Sequence, residues 1–241
     1  PAAIGGTEIA HWTPDGDWSQ MDATSRNIAG GVYAAAGRLD RARAEWQRVL
    51  ELKPDDVGGR MNLARLDLAE GKPDAAAAQL QKALDKDPKN LLATLGMAAI
   101  AQSRKDPKDV DRWLKKAADD HPDSVEVRIT QVQYYLATQD YARARAAADG
   151  AVRVDPNSAP AYNARGLVQV GQGDISDGIA SFREAVAKAP QGGYQLNLAR
   201  AYVLDRKPAE ALSVLDETLK ARPRQPVTLA LAMSIAVQSR D

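Results

Sequence analysis

The sequence predicts an all-α fold, a solenoid of stacked helical hairpins, and two observations carry this prediction. A proline recurs at a nearly constant interval, and apolar residues of fixed size keep the same distance from each proline. A period of this length, with room for two helices per unit, is the signature of a helical repeat array. The prolines are Pro54, Pro88, Pro122, Pro156, Pro190 and Pro223, spaced 34 residues apart except for a last interval of 33.

Residues 157–190 show how one unit is built. Polar caps and a proline favour the start of a first helix, glycines supply a positive φ at the turn, and an aspartate is expected to cap the second helix. A final proline then closes the unit. These residues are, in order, Asn157, Ser158, Pro160, Gly171, Gly173, Asp174 and Pro190.

Small and large residues recur in phase with the prolines. Twenty-four residues before them stand Gly30, Ala64, Ala98, Val132, Gly166 and Ala199. Twelve before stand Ala42, Ala76, Val110, Ala144, Gly178 and Ala211. Eight before stand Trp46, Leu80, Leu114, Ala148, Phe182 and Leu215. Small residues let two helix backbones approach and large ones fill the space beside them, so the pattern predicts packed helix pairs.

These in-phase positions resemble the tetratricopeptide repeat over about residues 23 to 223. The resemblance implies a right-handed superhelix with a concave groove lined by the first helix of each hairpin. We expect an extended arm or linker over residues 1–17, six hairpins within 18–226, and a terminal helix over 227–241, either a cap or the first helix of a further repeat. The expected hairpins cover about 23–56, 57–90, 91–124, 125–158, 159–191 and 192–225.

Two segments outside the regular repeats leave alternatives open. The arm includes Trp12, with Trp18 just beyond it, and is either a linker or a segment whose indoles dock on the first repeat. The terminal segment is almost uncharged, although a capping helix normally turns a polar face outward. We therefore expect that the natural protein continues with further repeats.

Charge and composition argue against several classes of function. Lysine plus arginine equals aspartate plus glutamate, 32 each, so no general basic field is present to hold nucleic acid or an anionic membrane. The chain has no cysteine for a disulfide or a thiolate zinc site, and no run of about 20 apolar residues. Absence of cysteine does not discriminate between periplasm and cytosol.

No residue pattern indicates catalysis, a metal site or a cofactor. The two histidines, His11 and His121, have no nucleophile placed beside them by spacing. The acidic pairs Asp119-Asp120 and Asp15-Asp17 lack a calcium-loop pattern, and acids at solvated helix ends are the common case. The expected protein is therefore not an enzyme.

The expected partner-binding residues lie on the first helices. Two repeats share the tetrapeptide Asn-Leu-Ala-Arg, at 62–65 and at 197–200, which places an amide and a guanidinium on one helix face. Either these groups bind a partner segment, or the asparagine bonds to the neighbouring helix and the arginine is merely solvated. The predicted groove residues are Asn27, Asn62, Arg65, Gln102, Gln133, Asn163, Asn197 and Arg200.

Between these polar groups the groove is predicted to be neutral and apolar, which favours an extended peptide or a helix as the ligand. Its apolar residues are Leu68, Leu95, Ile129, Leu136 and Val170. The clamp of chaperone-binding tetratricopeptide proteins is not expected, because Asn27 and Gly31 stand where that clamp has lysine and then asparagine. The predicted partner is a protein or peptide, with self-association through the ends as a further possibility.

Several short motifs are similar to the tetratricopeptide lipoproteins of the bacterial exosortase (PEP-CTERM) system. They are Asp111–Ala117, His121-Pro122, Tyr134–Leu136 and Ser181–Arg183. The similarity implies an interaction scaffold in the bacterial periplasm or cell envelope, accompanying exopolysaccharide production or secretion; a cytoplasmic location is the alternative. A structural spacer without a groove ligand is the alternative function.

Overall fold

The computed structural model describes residues 21–190 and 193–239. Within these residues the chain forms thirteen α-helices and no strand, which confirms the all-α class. The chain divides into two compact units, residues 1–113 and 114–241. The expectations for the arm, residues 1–17, and for Trp18 fall outside the described residues.

Unit 1 is built from consecutive antiparallel helix pairs. Its helices are α1 (Ala23–Ala35), α2 (Leu39–Leu52), α3 (Val57–Ala69), α4 (Pro73–Lys86) and α5 (Leu91–Ser103). Helix α6 (Pro107–Asp120) contains the boundary between the units. Helix α1 packs on α2, α3 on α4, and each pair on the next.

Unit 2 is likewise built from consecutive helix pairs. Its helices are α7 (Val125–Ala137), α8 (Tyr141–Val154), α9 (Ala159–Gln172), α10 (Ile175–Lys188), α11 (Gln195–Leu204), α12 (Pro208–Ala221) and α13 (Pro226–Gln238). The pairs α7 with α8, α9 with α10 and α11 with α12 pack as hairpins, and α13 packs on α12.

Side-chain caps define where five of the first helices begin. Each capping oxygen accepts a hydrogen bond from the backbone N–H three residues later, which satisfies a donor that has no partner inside the helix. The caps are Asp22, Asp56, Asn90, Ser124 and Ser158. Helix α11 begins without a side-chain cap and has only 10 residues.

The hairpin of residues 157–190 differs from its prediction in three details. Asn157 is not the cap, because Ser158 holds the N-cap position and accepts from the Ala161 backbone N–H. Gly171 lies inside α9, and only Gly173 takes the left-handed conformation, with φ of 90°. Asp174 stands at the N-cap position of α10, but its side chain makes no capping hydrogen bond. Helix α10 ends at Lys188, just before the closing proline.

The turn inside each hairpin requires a left-handed residue, whichever side chain the sequence supplies. Gly37 and Gly71 adopt φ of 72° at this turn. Three other repeats place Lys105, Gln139 and Arg206 there, with φ of 57°, 59° and 57°. The left-handed region costs a non-glycine residue about 1 to 2 kcal/mol, because Cβ approaches the following carbonyl oxygen.

Replacing one of these residues by glycine should stabilise the fold. We expect Gln139→Gly to raise the free energy of unfolding by about 0.5 to 1 kcal/mol, since relief of strain exceeds the entropy that glycine adds to the unfolded chain. Urea denaturation measures the change. The same substitution at Gln81, an exposed interior position of α4, should destabilise by about 1 kcal/mol.

Two glycines lie directly against aromatic rings inside their hairpins. Gly30 packs on the Trp46 indole, and a Cβ at Gly166 would lie 2.7 Å from Phe182 Cδ1. Both rings are buried, with 5% exposure for Trp46 and 2% for Phe182. No side chain fits at either glycine unless the ring moves.

In other hairpins, the positions equivalent to Gly166 and Phe182 carry side chains of different sizes. Ala64 with Leu80, and Ala199 with Leu215, belong to buried clusters of the second and sixth repeats. In the fourth repeat the order is reversed, with Val132 and Ala148 in one cluster. The two side chains compensate each other in volume, as a close-packed interior requires.

Candidate protein-binding face

The predicted polar groove residues, and three of the five predicted apolar ones, fall on one stripe along each first helix. The other two, Leu95 and Ile129, lie one residue before a stripe position and are half-buried. On each first helix the stripe has three residues, which lie 26 or 27, 23, and 20 residues before the closing proline. They are three or four residues apart, so they share one helix face. We call it the first-helix stripe. Its members are Asn27, Gly31, Ala34, Asn62, Arg65, Leu68, Gly96, Ala99, Gln102, Thr130, Gln133, Leu136, Asn163, Leu167, Val170, Asn197, Arg200 and Val203.

The middle position of the stripe is exposed on all six helices. These residues are Gly31, Arg65, Ala99, Gln133, Leu167 and Arg200. The four asparagines before them are half-buried. Each asparagine is therefore held at the base of the stripe, while the residue one turn later projects into solvent.

In unit 1 the structure joins two predicted residues directly. Asn62 Nδ2 on α3 donates to Asn27 Oδ1 on α1, at 2.8 Å. The Asn27 amide lies over a glycine, because a Cβ at Gly58 would lie 2.9 Å from Asn27 Nδ2. The hydrogen bond connects first helices of consecutive repeats.

Unit 2 repeats this arrangement with different residues. Asn197 Nδ2 on α11 donates to Asn163 Oδ1 on α9, again at 2.8 Å. Both pairs therefore realise the alternative in which the asparagine bonds to a neighbouring helix. An asparagine amide has two N–H groups and an oxygen with two lone pairs, so each pair retains further donors and acceptors for a peptide backbone.

The arginines one turn after these pairs are the only cations on the stripe. Arg65 and Arg200 are exposed, and within residues 21–190 and 193–239 neither forms an ion pair or a side-chain hydrogen bond. No acidic residue belongs to the stripe. Each unit thus presents a bonded asparagine pair beside a guanidinium, which suits a carboxylate of a partner.

A charge cluster links α2 to α3. Arg43 Nη2 lies 2.8 Å from Asp67 Oδ1 and 2.9 Å from Glu70 Oε2. Lys72 Nζ adds a contact of 2.7 Å to Glu70. Hydrogen bonds from Lys72 and then Arg43 lower the pKa of Glu70. The cluster leaves Arg65 uninvolved, so it is structural rather than part of the binding face.

The two predicted glutamines of the stripe are exposed, and one exposed valine of the stripe was not predicted. Gln102 and Gln133 are exposed on the stripe, and among the described residues neither forms a hydrogen bond with the asparagine pairs. Val203, which is 36% exposed, occupies the same phase as Gln102 on α11. Counting 20 residues back from each proline would have found it. With Leu167, 40% exposed, it adds apolar surface to unit 2.

The described residues offer no arrangement for metal binding. Within residues 21–190 and 193–239 no three acidic or histidine side chains come together as ligands. Asp119 and Asp120 instead contact Lys115 and Lys116 one turn earlier, at 2.5 and 2.6 Å.

Among the helices that the structure describes, none combines the length and the apolar character that a membrane-spanning helix needs.

Comparison with known proteins gives a consistent family match. A protein-family model described as tetratricopeptide repeat matches residues 29–91, 61–125, 129–193 and 163–226. A search of curated proteins finds no match.

Solved structures share the fold at low sequence identity. The yeast Tom70 structure aligns with a TM-score of 0.78 at 14% identity, covering 91% of this chain and 48% of Tom70. This chain therefore spans about half of Tom70. A tetratricopeptide repeat protein from Parabacteroides merdae aligns with a TM-score of 0.65 at 16% identity, covering 90% of this chain and 87% of that one. PilW, a type IV pilus biogenesis factor, aligns at 0.59 with 25% identity, covering 75% and 84%.

Proposed function

We propose, since the chain belongs to the tetratricopeptide repeat family, that it is a non-catalytic scaffold whose first-helix stripe holds a segment of a protein partner. The observation that carries the proposal is the arrangement found twice, once in each unit. A bonded asparagine pair lies beside an exposed arginine without an ion-pair partner in the described chain. Exposed charged groups with no structural contact serve binding more readily than folding.

The stripe defines the chemistry of the partner segment. Asparagine amides pair with backbone N–H and C=O groups, and each arginine favours a carboxylate. Leu68 in unit 1, and Leu136 and Val170 in unit 2, are half-buried and offer apolar contact beside the polar groups of their own unit. The proposed ligand is therefore an extended or helical segment with apolar residues and at least one acidic residue.

The proposed setting is an assembly or secretion pathway of the bacterial cell envelope, with exopolysaccharide production as the specific case. The motifs similar to exosortase-system lipoproteins support it. The likeness to PilW, a pilus biogenesis factor, supports an envelope assembly role more broadly.

Charge reversal on the stripe tests the proposal. We expect Arg65→Glu combined with Arg200→Glu to leave the helical circular dichroism unchanged, because both side chains are exposed. Capture of the partner from lysate of the source cell should fall at least about tenfold, since each lost charge-assisted hydrogen bond is worth roughly 1.5 to 3 kcal/mol. Quantitative mass spectrometry of the retained proteins gives the ratio.

Arg145→Glu combined with Arg153→Glu is the matched control. Both residues are exposed on α8, a second helix, and the charge change is identical. A protein lost by the stripe variant and retained by the control supports the proposal. Equal loss in both variants would show that only net charge matters, and equal retention would refute a role for the arginines.

A self-assembling array is the second candidate, favoured by apolar surface on the terminal helices. On α1, Ile28 and Val32 are 65% and 51% exposed, and on α13, Met233 and Val237 are 62% and 65% exposed. Sedimentation equilibrium separates the candidates. A concentration-dependent series of oligomers, abolished by Met233→Glu, would favour the array.

A further inference from the structure

A cleft of about 400 Å³ lies on the second helices of unit 2, away from the first-helix stripe. Helices α10 and α12 form its walls, and the start of α11 contributes to its base. Apolar lining comes from Val186, Leu198 and Val214. This volume falls within the range of about 300 to 1,000 Å³ that small-molecule sites occupy.

Gln195 supplies a buried acceptor that has no donor. The residue lines the cleft and is 9% exposed. Its Nε2 donates to the Pro190 carbonyl, whereas Oε1 is buried without a hydrogen-bond partner in the described chain. Buried polar atoms in folded proteins are nearly always paired, so an unpaired carbonyl oxygen at a cleft marks a place for an N–H or O–H group.

Comparison with other repeats shows which contact across the hairpin the Gln195 side chain lacks. Arg26 and Arg60 occupy the position of Gln195 in the first two repeats, 28 residues before the proline. Each bonds to the residue 19 positions later: Arg26 to Glu45 at 2.9 Å, and Arg60 to Gln79 at 3.2 Å. In the sixth repeat that residue is Val214, which offers no polar atom.

Charged side chains of both signs surround the same cleft. Arg183 on α10, Glu217 on α12 and Arg222 at the end of α12 line it. None of the three forms an ion pair within residues 21–190 and 193–239. Neighbouring acids of α12 behave differently, since Asp216 pairs with Lys220 at 3.2 Å.

We propose that this cleft binds a small zwitterion with an apolar body, of the class of hydrophobic amino acids and dipeptides. The ligand's ammonium pairs with Glu217, and it donates to Gln195 Oε1 when that amide turns toward the cleft. Its carboxylate pairs with Arg222, which is half-buried whereas Arg183 is exposed, and its side chains pack on Val214 and its apolar neighbours. A polyanion is disfavoured by Glu217 and by the apolar walls. The site is independent of the stripe, so failure of either proposal leaves the other standing.

A ligand titration tests the proposal. L-leucyl-L-leucine is added to the ¹⁵N-labelled 241-residue chain, and backbone amide shifts are followed by NMR. We expect saturable shifts confined to α10, α11 and α12, with a Kd of about 1 mM, as for a small ligand with few contacts. Leucine tests the amino-acid source of the same chemistry. N-acetyl-L-leucinamide, which keeps the apolar body without either charge, should bind at least about tenfold more weakly.

Charge-neutralising variants locate the binding groups. Arg222→Gln and Glu217→Gln should each raise the Kd at least about tenfold, because each removes a charge-assisted hydrogen bond. Arg224→Gln and Glu210→Gln make the same chemical changes nearby, outside the lining, and should leave the Kd unchanged. The absence of saturable shifts with both zwitterions, or equal affinity for the neutral probe, would overturn the proposal. An equal rise in Kd for the controls would overturn it as well.

Discussion

Gly166→Leu should lower the free energy of unfolding by about 2 to 3 kcal/mol, because the new side chain would overlap the buried ring of Phe182. Even a bare Cβ at this glycine would lie 2.7 Å from the ring. The Phe182 side chain is 2% exposed, so neighbouring side chains surround its ring. Chemical denaturation measures the loss, and an unchanged unfolding midpoint would contradict the packing described above.

Gly31→Leu is the matched control for this substitution. Gly31 also lies within a first helix, but a Cβ there meets no atom within 4 Å. Leucine has a higher helix propensity than glycine, so we expect a gain of about 0.5 to 1 kcal/mol. Replacing glycine by leucine should therefore destabilise the fold at Gly166 and stabilise it at Gly31. Helix propensity alone would change the stability in the same direction at both sites.

The side chains at positions 166 and 182 compensate each other in volume. The effect of Gly166→Ala on stability should therefore depend on the residue at position 182. Gly166→Ala should destabilise the natural protein but stabilise the Phe182→Leu variant, since that background reproduces the alanine and leucine pair of the second and sixth repeats. A double-mutant cycle measures the coupling. Additive effects would show that the two positions do not share one space.

Arg43→Met should cost about 2 to 3 kcal/mol, because it leaves the Asp67 carboxylate buried without its cation. Asp67 is 4% exposed, and its contact with Arg43 is 2.8 Å. The value is below the range of about 3 to 5 kcal/mol for fully buried pairs, since Arg43 is 25% exposed and water screens it in part. Thermal and urea unfolding measure it.

Two further variants separate loss of the pair from loss of packing. Arg43→Met combined with Asp67→Leu should recover at least half of the lost stability, because no buried charge remains. Arg48→Met removes an exposed arginine that pairs with Glu51, and should cost less than about 0.5 kcal/mol. If the double variant is no more stable than Arg43→Met, the carboxylate is not the source of the loss.

Much of the local structure was predictable because it depends on residues near one another in the chain. Proline spacing and caps such as Ser158 place the helix ends, since a cap and its N–H lie three residues apart. The exposure of Arg65 and Gln133 follows from helical periodicity. Asp174 shows the limit of this reasoning, because a suitable capping residue at the right position makes no capping bond.

The sequence predicts which residues lie on the candidate binding face, but it does not predict which of them bond to each other. The positions of the first-helix stripe follow from counting back from each proline, and the structure shows its middle row exposed. That Asn62 bonds to Asn27, and Asn197 to Asn163, depends on the distance between helices of different repeats. A spacing of 35 residues in one pair and 34 in the other gives no local signal of such contact.

The sequence by itself determined the repeat, its helices and the face that each first helix presents, because periodic patterns and caps act within one or two helical turns. Only the tertiary structure decided which glycine packs against an aromatic ring, which aspartate is buried beside Arg43, and that Gln195 Oε1 is buried without a hydrogen-bond partner in the described chain. These properties depend on volume and hydrogen-bond distance between separate helices. Both are set when the helices pack, and neither can be read from a single helix.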